Sequence, residues 1–509
     1  MGYPVVLTCD RTMASEYHGL MFLGFSACIP QGTIPDWIYY PLFCPSAPVR
    51  KNGSLLYANC GMRRIESALL SCGFSPKDII VAHPDYLERV VDSSTKILSI
   101  SSNDPLGLGP ATTTFGDLWG GEARMAYKLR ELLHSKVVLR HKPTVFLGGP
   151  GAWQVAENPK KRLELGIDCV VVGEGDITAP KLFKSVLDGK KGELPDVVYG
   201  DVAPVEQIRG IAGGTIIGLI EITRGCARSC AFCAPSVRKV RSLPLERVLE
   251  DVRVNIDAGN DGVILHGEDM LLYKSDGLSI NSDAVIELIQ KVYQVPGVNF
   301  VGISHVSLSS IVSSPSTIEK MAKTLELGTP RHPVNYYQVG IETGSPELIG
   351  KLMKGKVYPF KPEEWPDVVR EGFRISHENH FVCCATIILG LPGETNEDVR
   401  KTAELVRSLY GYQSVIIPLF FTPMQTTRLE NQKPFTKKDL TSFHDNLLSA
   451  CWEHNAKWFP ELWKYYGRNK NVVLQKSVDF FLRHGIRYFL KRMQQDSMKR
   501  NGIREEVSL

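Results

Sequence analysis

The sequence predicts an α/β protein whose N-terminal region is built on a parallel sheet. Residues 1–200 alternate short β-branched runs with helical runs, the pattern of parallel strands joined by crossover helices. At 509 residues the chain is too long for one hydrophobic core, so two or three domains are expected. A third observation is the buried-type apolar run at 215–223, which ends directly at a cysteine-rich loop.

The predicted elements of the first region are short, and turn-forming stretches separate several of them. A helix is predicted at 61–72, and strands are predicted at 5–8, 78–82, 96–101, 144–147 and 168–172. Polar or glycine-rich turns follow the last three strands, at 102–110, 148–151 and 173–176. Open α/β sheets bind ligands beyond the carboxyl ends of their strands, so these turns are candidate binding loops.

The amino-acid composition is typical of a soluble globular protein. Charged residues make up 22% of the chain and hydrophobic residues 43%, and the net charge of +4 is too small to argue for nucleic acid. The twelve cysteines show no paired spacing, and neither a signal peptide nor a run of eighteen apolar residues is evident. A cytoplasmic, reducing location is therefore expected.

The strongest chemical signal is the C-x3-C-x2-C spacing of Cys226, Cys230 and Cys233. Thiolates are soft ligands that suit iron–sulfur clusters or zinc, but a closed zinc site needs a fourth ligand, and no Cys or His follows in the next thirty residues. A [4Fe–4S] cluster held by three cysteines keeps one iron open for a small molecule. The alternative, a helical stripe of cysteines facing a core, is disfavoured by the flanking Gly225 and Pro235.

This triplet, with Phe232 between its second and third cysteines, resembles the signature of the radical S-adenosylmethionine (SAM) enzymes. The resemblance implies a partial (β/α)6 barrel whose first strand is 215–223, with the three cysteines as catalytic cluster ligands. It also implies Phe232 as a cofactor contact. Gly267 and Glu268, after a predicted second strand, are similar to the family's G-G-E motif, which meets the amino group of SAM. The chain departs from that motif at His266, where a first glycine is usual.

Later motifs extend the resemblance to about residue 425. Glu342 lies in a stretch that looks like the family's G-I-E-T-G-S strand and would face the SAM ribose or the neighbouring loop. Residues 383–395 are similar to its G-L-P-G-E-T strand and turn, where Ile388 and Leu391 would line the adenine. Ser304 ends a predicted third strand as a further cofactor contact, and His305 beside it is expected to be a structural hydrogen-bonding residue.

The glycine-rich turns before this region resemble the cobalamin-binding domain of cobalamin-dependent radical SAM enzymes. The chain carries no D-x-H-x-x-G motif, so no histidine is marked as a lower cobalt ligand. Residues 10–59 are either an inserted loop over the cofactor or irregular surface. The positions that the resemblance assigns to cobalamin are Asn103, Asp104, Pro105, Leu106, Gly107, Gly148, Gly149, Gly173, Glu174 and Gly175.

Three domains follow from these assignments. Residues 1–200 are a predicted cobalamin-binding Rossmann-like domain, 201–430 a partial barrel and 431–509 a C-terminal helical extension, with a linker at 186–214. The region 461–500 is basic and aromatic at helical intervals. It would dock on an anionic membrane or an acidic protein surface, or pack its aromatics on the barrel as a cap, and the cap is favoured.

The resemblance implies a C-methyltransferase that uses a [4Fe–4S] cluster, SAM and methylcobalamin. The arrangement looks most like archaeal members, and a glutamine of methyl-coenzyme M reductase is the leading substrate, with ferredoxin or flavodoxin as electron donor and no nucleic acid partner. Two alternatives stay open: an enzyme that modifies archaeal membrane lipids, and a sensor that binds both cofactors without catalysis. A tRNA methylthiotransferase is disfavoured because neither an additional cysteine-bound cluster nor a basic RNA-binding appendage is evident.

Overall fold

The computed structural model describes residues 2–234 and 239–467 together with positions 472, 475, 476 and 479. Contacts divide the chain into two compact units. The first consists of 1–222, 242–265 and 291–301, and the second of 223–241, 266–290 and 302–509. The two units are defined by residue contacts alone, and they do not test the three predicted domain ranges, which stay predictions.

A six-stranded sheet of parallel strands forms the centre of the first unit. Its strands are β1 (Val5–Cys9), β2 (Ile79–Val81), β3 (Ile97–Ser101), β4 (Thr144–Gly148), β5 (Cys169–Gly173) and β6 (Val197–Gly200). They are arranged in the order β2-β1-β3-β4-β5-β6, and every neighbouring pair is parallel. The chain direction across the sheet reverses between β1 and β3, the place where such open sheets bind ligands.

Five of these strands confirm the predicted ones, and the sixth corrects the sequence analysis. The region 186–214 is not simply a linker, because β6 lies within it and pairs with β5. Gly200 at the end of β6 allows this approach: a Cβ there would lie 1.9 Å from the carbonyl oxygen of Glu174. A short edge strand of this kind has no long apolar run to mark it in the sequence.

Helices cover both faces of the sheet, which explains why its strands are apolar throughout. Alternate residues enter two cores, with Val6, Leu98 and Leu147 in one. Leu7 and Phe146 enter the other. The helices are α1 (Asp36–Leu42), α2 (Cys60–Ser71), α3 (Leu87–Val90), α4 (Pro110–Trp119), α5 (Arg124–Leu133), α6 (Lys136–His141), α7 (Ala152–Ala156), α8 (Pro159–Glu164) and α9 (Thr178–Leu187).

The region 10–59 is a packed insertion with a core of its own, built around Tyr39. It contains α1 and a 3-10 helix, Met21–Cys28, that contacts α4 and α5. The fully buried Arg124 fixes it to α5: its guanidinium lies 3.9 Å from the ring centroid of Tyr39, donates to the carbonyl oxygen of Ile34 at 2.7 Å and pairs with Asp36. Irregular surface is therefore the wrong interpretation, whereas a position over a cofactor stays a prediction.

The remaining strands before residue 310 are β7 (Leu219–Glu221), β8 (Thr223–Arg224), β9 (Arg241–Ser242), β10 (Gly262–His266) and β11 (Phe300–Ile303), with α10 (Leu245–Asp257) between β9 and β10. A three-stranded sheet has the order β11-β10-β7.

The predicted continuous strand 215–223 is wrong at its start. Residues Ile216–Gly218 form a 3-10 turn in which Ile217 has a φ of 53°. Gly218 also has a positive φ, 64°, and a Cβ there would lie 2.2 Å from the carbonyl oxygen of Gly262. This close approach of two backbones replaces regular pairing at the beginning of the run.

The second unit is built on the parallel sheet β12 (Asn335–Glu342), β13 (Phe381–Leu389) and β14 (Ser414–Phe420). One face is buried, and the other is half exposed at Gln338, Thr386, Ile388 and Leu419. The remaining helices are α11 (Ser282–Tyr293), α12 (Leu308–Ser313), α13 (Pro315–Thr324), α14 (Pro346–Leu352), α15 (Lys354–Val357), α16 (Trp365–Glu378), α17 (Asn396–Ser408) and α18 (Ser442–Gly467).

The C-terminal helix α18 packs on β14 through buried polar contacts. His454 Nε2 lies 2.8 Å from Ser414 Oγ, and the Asn455 side chain makes bonds of 2.8 and 2.7 Å with the backbone of Ile416. Leu462 and Trp463 are buried, as the predicted cap requires. The periodic aromatic positions at 480–489 lie outside the described residues. Among the described residues, no helix has the length and hydropathy needed to cross a membrane.

One buried ion pair in the first unit offers a test of its packing. Arg64 on α2 donates to Asp251 on α10 at 2.6 Å, and their side chains are 4% and 0% exposed. Asp251 also accepts the backbone N–H of Ile211 at 2.9 Å. We predict that Arg64→Met lowers the free energy of unfolding by about 3–5 kcal/mol, because it leaves a buried carboxylate without its cation. Urea denaturation of the full chain measures this.

The control is Arg374→Met, which removes exposed pairs with Glu371 and Glu378 on α16 and should have a much smaller effect, because water screens surface charges. Adding Asp251→Asn to the Arg64 variant should recover part of the loss. Equal effects of the two arginine substitutions would contradict the prediction.

Candidate functional site

The cysteine loop begins after β8 and is held open by two residues with positive φ. Gly225 has a φ of 85° and Ser229 a φ of 54°, so the backbone reverses on both sides of Cys226. Cys230 is buried, and Cys226 and Cys233 are half-buried. Burial raises the pKa of the Cys226 thiol to about 11 and also raises that of Cys230. Without a metal these thiols therefore keep their protons at neutral pH, and metal binding would release them.

Backbone contacts fix the loop at three further points. The N–H of Cys233 donates to the carbonyl oxygen of Cys230 at 3.3 Å, and the N–H of Ala231 donates to that of Leu352 at 2.9 Å. Arg428 Nη2 donates to the carbonyl oxygen of Ser229 at 2.6 Å. The loop therefore lies against the end of α14 and against the segment after β14.

The centre of the loop is Arg228, whose guanidinium is buried and satisfied on every nitrogen. Nε and Nη2 donate to Asp269 Oδ2 at 3.3 and 3.0 Å. Nη2 also donates to Ser310 Oγ, and Nη1 to Ser309 Oγ at 2.8 Å. Nη1 further donates to the carbonyl oxygens of Gly355 and Lys356 at 3.2 and 3.1 Å. One side chain thus ties the cysteine loop to the loop after β10, to α12 and to α15.

A second buried ion pair lies beside Cys230. Lys356 Nζ is 2.8 Å from Glu342 Oε1, and Thr386 Oγ1 donates to the other carboxylate oxygen at 3.3 Å. Glu342 has a φ of 62° where the register of β12 and β13 shifts, so the bulge aims its carboxylate at the lysine. A Cβ at Gly340 would lie 1.9 Å from Glu342 Oε1, so only glycine leaves room for the pair.

Two histidines share one hydroxyl at the ends of β10 and β11. Ser304 Oγ lies 3.0 Å from Nδ1 of both His266 and His305, and 3.4 Å from the N–H of Gly267. A hydroxyl carries one proton, so at least one imidazole donates from Nδ1. Burial lowers the pKa of His305 to about 3, which keeps it neutral, as expected of a structural histidine. Glu268 is exposed beside this cluster.

The turn after β13 is apolar and anchored by a buried carboxylate. Leu391 is buried and Ile388 is half-buried on the open face of the sheet. Glu394 accepts the N–H of Gly390 at 2.7 Å and contacts His444 of α18 at 3.1 Å. All the site residues predicted for the radical SAM region lie in the second unit, and they are Cys226, Cys230, Cys233, Phe232, Gly267, Glu268, Ser304, Glu342, Ile388 and Leu391.

The donor set fits an iron–sulfur cluster. It consists of three thiols from one loop. The guanidinium of Arg228, in the same loop, is fully hydrogen-bonded to other protein groups. Within the described residues, no three His, Cys, Asp or Glu side chains converge as ligands of a single metal ion. A cubane cluster places its thiolates on different irons, so its ligands stand farther apart than those of one ion.

The loop after β3 in the first unit is organised by Asp104. Its carboxylate is buried and accepts the N–H groups of Leu108 at 2.8 Å and Gly109 at 3.0 Å, the hydroxyl of Thr112 and the Gln154 amide at 2.7 Å. Asp104 therefore shapes the loop from within. Among its predicted partners in ligand binding, Asn103 is exposed, Pro105 is buried, and Leu106 and Gly107 are half-buried.

The glycine turns after β4 and β5 differ in their surroundings. A Cβ at Gly149 would lie 2.7 Å from the carbonyl oxygen of Ser102, so this glycine packs the turn against the Asp104 loop. Gly148 has no atom nearer than 3.9 Å to such a Cβ, and Gly173 none nearer than 3.7 Å. Gly175 packs on Ile65, and Glu174 Oε2 accepts the N–H of Ala203 at 3.2 Å. The first unit thus holds the predicted cobalamin positions on the carboxyl-end loops of β3, β4 and β5.

Sequence reasoning missed the residues that hold these loops. Arg228 was visible as a lone cation inside the cysteine triplet, and Asp269 directly follows the Gly267–Glu268 motif. Lys356 and Gln154 carried no local signal, because each is defined only by a partner distant in the chain.

The Arg228 network can be tested through stability. We predict that Arg228→Met lowers the midpoint of thermal unfolding markedly, because the free energy of unfolding falls by about 3–5 kcal/mol when Asp269 is left buried and uncompensated. Lys401→Met is the control, since its pair with Glu347 is mainly exposed and should contribute less than about 1 kcal/mol. A small effect of Arg228→Met, equal to that of the control, would refute a central role for this guanidinium.

Comparison with known proteins agrees with this site. Residues 220–406 match the Radical SAM superfamily. A putative methylthiotransferase of Methanocaldococcus jannaschii is 28% identical over 53% of this chain and 59% of its own. A tRNA-2-methylthio-N(6)-dimethylallyladenosine synthase of Chromohalobacter salexigens is 25% identical over 57% of this chain and 62% of its own. An uncharacterized methyltransferase of Pyrococcus horikoshii is 25% identical over 56% and 62%. The chain thus spans about three fifths of the length of these curated relatives.

Solved structures share the fold over a longer stretch. The radical SAM methyltransferase TsrM of Kitasatospora setae, with tryptophan and a SAM analogue bound, superposes with a TM-score of 0.52 at 15% identity, covering 83% of this chain and 75% of its own. The same enzyme with cobalamin and a [4Fe–4S] cluster bound gives 0.53, covering 84% and 74%. The family match over residues 220–406, the cysteine loop and the shared fold therefore agree with one another.

Proposed function

We propose that this chain is a cobalamin-dependent radical SAM C-methyltransferase acting on an unactivated carbon. The main observation behind the proposal is that one chain combines the three-cysteine loop of a radical SAM domain with a parallel sheet ordered β2-β1-β3-β4-β5-β6. The likeness to TsrM, which holds cobalamin and a [4Fe–4S] cluster, extends over both regions. At 15% identity this likeness is evidence of a common fold alone, so the cobalamin assignment is part of the proposal.

The residues of the second unit would divide the work on SAM and the cluster. Cys226, Cys230 and Cys233 would hold three irons, and Gly267 and Glu268 would receive the amino group of SAM. Ile388 and Leu391 would exclude water from the adenine. When bound, the cluster with SAM supplies radical chemistry and methylcobalamin supplies a methyl group.

The first unit would bind the corrin through its carboxyl-end loops. Asp104 would keep the loop 103–109 in one conformation, and the backbone at Gly148 and at Gly173–Gly175 would approach the ligand closely. Leu106, which is half-buried, and Leu108, which is 42% exposed, are the apolar side chains of this loop that would contact the corrin.

A methylthiotransferase is the second candidate, favoured by the names of the relatives from M. jannaschii and C. salexigens. That activity would need a second set of cluster ligands in the N-terminal region. The six described cysteines of 2–200 are dispersed over β1, the 3-10 helix, the segment after α1, both ends of α2 and β5, and no three of them share one loop, so a second site has little support. They are Cys9, Cys28, Cys44, Cys60, Cys72 and Cys169, of which Cys72 is the exposed one.

The substrate and partner parts of the proposal rest on likeness to archaeal family members. We propose a protein side-chain carbon, with a glutamine of methyl-coenzyme M reductase as the leading target and a ferredoxin or flavodoxin as electron donor. Incubating the reconstituted full chain with that reductase and methyl-labelled SAM should add one methyl group to a tryptic peptide. Label appearing instead in lipid from archaeal liposomes would favour the lipid-modifying alternative.

The cofactor content is the first prediction of this proposal. Anaerobic reconstitution should give about four irons and one cobalamin per chain, and Cys226→Ala should lose the iron. Cys72→Ala, at an exposed cysteine outside the site, is the matched control and should keep it. Iron without cobalamin would remove methyl transfer from the proposal, and about eight irons without cobalamin would favour the methylthiotransferase.

The Asp104 loop gives a second prediction. Asp104→Ala removes the acceptor of two N–H groups, the Thr112 hydroxyl and the Gln154 amide, so the loop should lose its conformation. Cobalamin affinity, measured by absorbance titration, should fall at least about tenfold, which corresponds to about 1.4 kcal/mol. Iron content should stay unchanged, and unaltered cobalamin affinity would exclude this role of the loop.

A further inference from the structure

Charged side chains surround Cys230 unevenly. Lys356, Arg228 and Arg428 are cations near its thiol, and Glu342 is the opposing anion. The Arg228 charge is compensated by Asp269 at 3.0 Å, and the Arg428 side chain is exposed on the surface, where water screens it. Lys356 is buried, so its charge is poorly screened, and its ammonium nitrogen lies 2.8 Å from Glu342 Oε1.

The position of Lys356 is fixed by the loop itself. Its carbonyl oxygen accepts Arg228 Nη1 at 3.1 Å and Ser309 Oγ at 2.6 Å. The preceding Gly355 touches the same loop, since a Cβ there would lie 2.0 Å from the carbonyl oxygen of Arg228. The side chain is held at its other end by Glu342 at 2.8 Å. A buried cation is thus held rigidly beside a cysteine of the triplet.

We propose that Lys356 is a positioning residue that sets the reduction potential of the iron–sulfur cluster held by the cysteine triplet, with Glu342 acting in the opposite sense. Reduction adds one electron and no proton to the cluster, so the reduced form carries one more negative charge. A fixed cation in a poorly solvated place stabilises that form and raises the potential, whereas a fixed anion lowers it. This inference rests on the proposed function only in that it needs the cluster.

The chemical consequence concerns the electron donor. A raised potential lets a donor of moderate reducing strength populate the reduced cluster, so the lysine would widen the range of usable reductants. No substrate or cobalamin takes part in this step, which makes it measurable on the reconstituted chain alone.

The test is an anaerobic potentiometric titration of the full-length reconstituted protein without SAM, followed by electron paramagnetic resonance. Lys356→Met should shift the oxidised-to-reduced ratio at a fixed potential at least about tenfold towards the oxidised form, which is about 59 mV for one electron. Glu342→Gln should shift it the opposite way. Lys356→Arg keeps the charge, and Lys354→Met removes an exposed lysine two residues away, so both should titrate like the wild type.

Each outcome decides between the two proposals. A wild-type chain that takes up no iron defeats the proposed function. A wild type that holds and titrates a cluster, with unshifted midpoints in Lys356→Met and Glu342→Gln, overturns the present inference alone. If Lys356→Met takes up no iron, Glu342→Gln decides, since a shift to more positive potential supports the inference and its absence overturns it. Loss of iron in both variants would assign the pair a structural role only.

Discussion

The buried guanidinium of Arg228 is the interaction on which the cysteine loop depends. A charged group can be buried only when its donors are all matched, and here they reach one carboxylate, two serine hydroxyls and two backbone carbonyls. These partners come from three different segments of the second unit. Moving any of these partners would leave a buried charge uncompensated. The residues that accept hydrogen bonds from Arg228 therefore also fix the loop that carries Cys226 and Cys230.

The first unit uses the same principle with the opposite charge. Asp104 lies inside its loop and accepts hydrogen bonds from four donors, so the loop wraps around a carboxylate much as the cysteine loop wraps around an arginine. In both cases the organising charge is compensated by partners within the protein. The positions left for ligand contact are thiols in one loop and backbone or apolar atoms in the other. Such preorganised loops lose little conformational entropy when a cofactor binds.

The cysteines of the N-terminal region bear on the choice between the proposed methyltransferase and the proposed methylthiotransferase. Relatives with both kinds of name share the radical SAM domain with this chain. The described cysteines of the N-terminal region are dispersed: Cys9 and Cys169 lie in one core of the sheet, and Cys44 lies in the core of the 10–59 insertion. This distribution supports an N-terminal region that binds its ligand through loops rather than through metal–sulfur bonds.

The sequence by itself determined the cysteine triplet, the family motifs and five of the six strands of the first sheet, because each is a local pattern: a fixed ligand spacing, a strand-length apolar run or a turn-forming stretch. Only the tertiary structure decided that β6 pairs with β5, that residues 216–218 turn before the first strand of the radical SAM region, and that the region 10–59 packs on Arg124. The partners of Arg228, Asp104 and Lys356 belong to the same group. These features depend on close approach and charge matching between residues far apart in the chain, which leave no periodic signal along it.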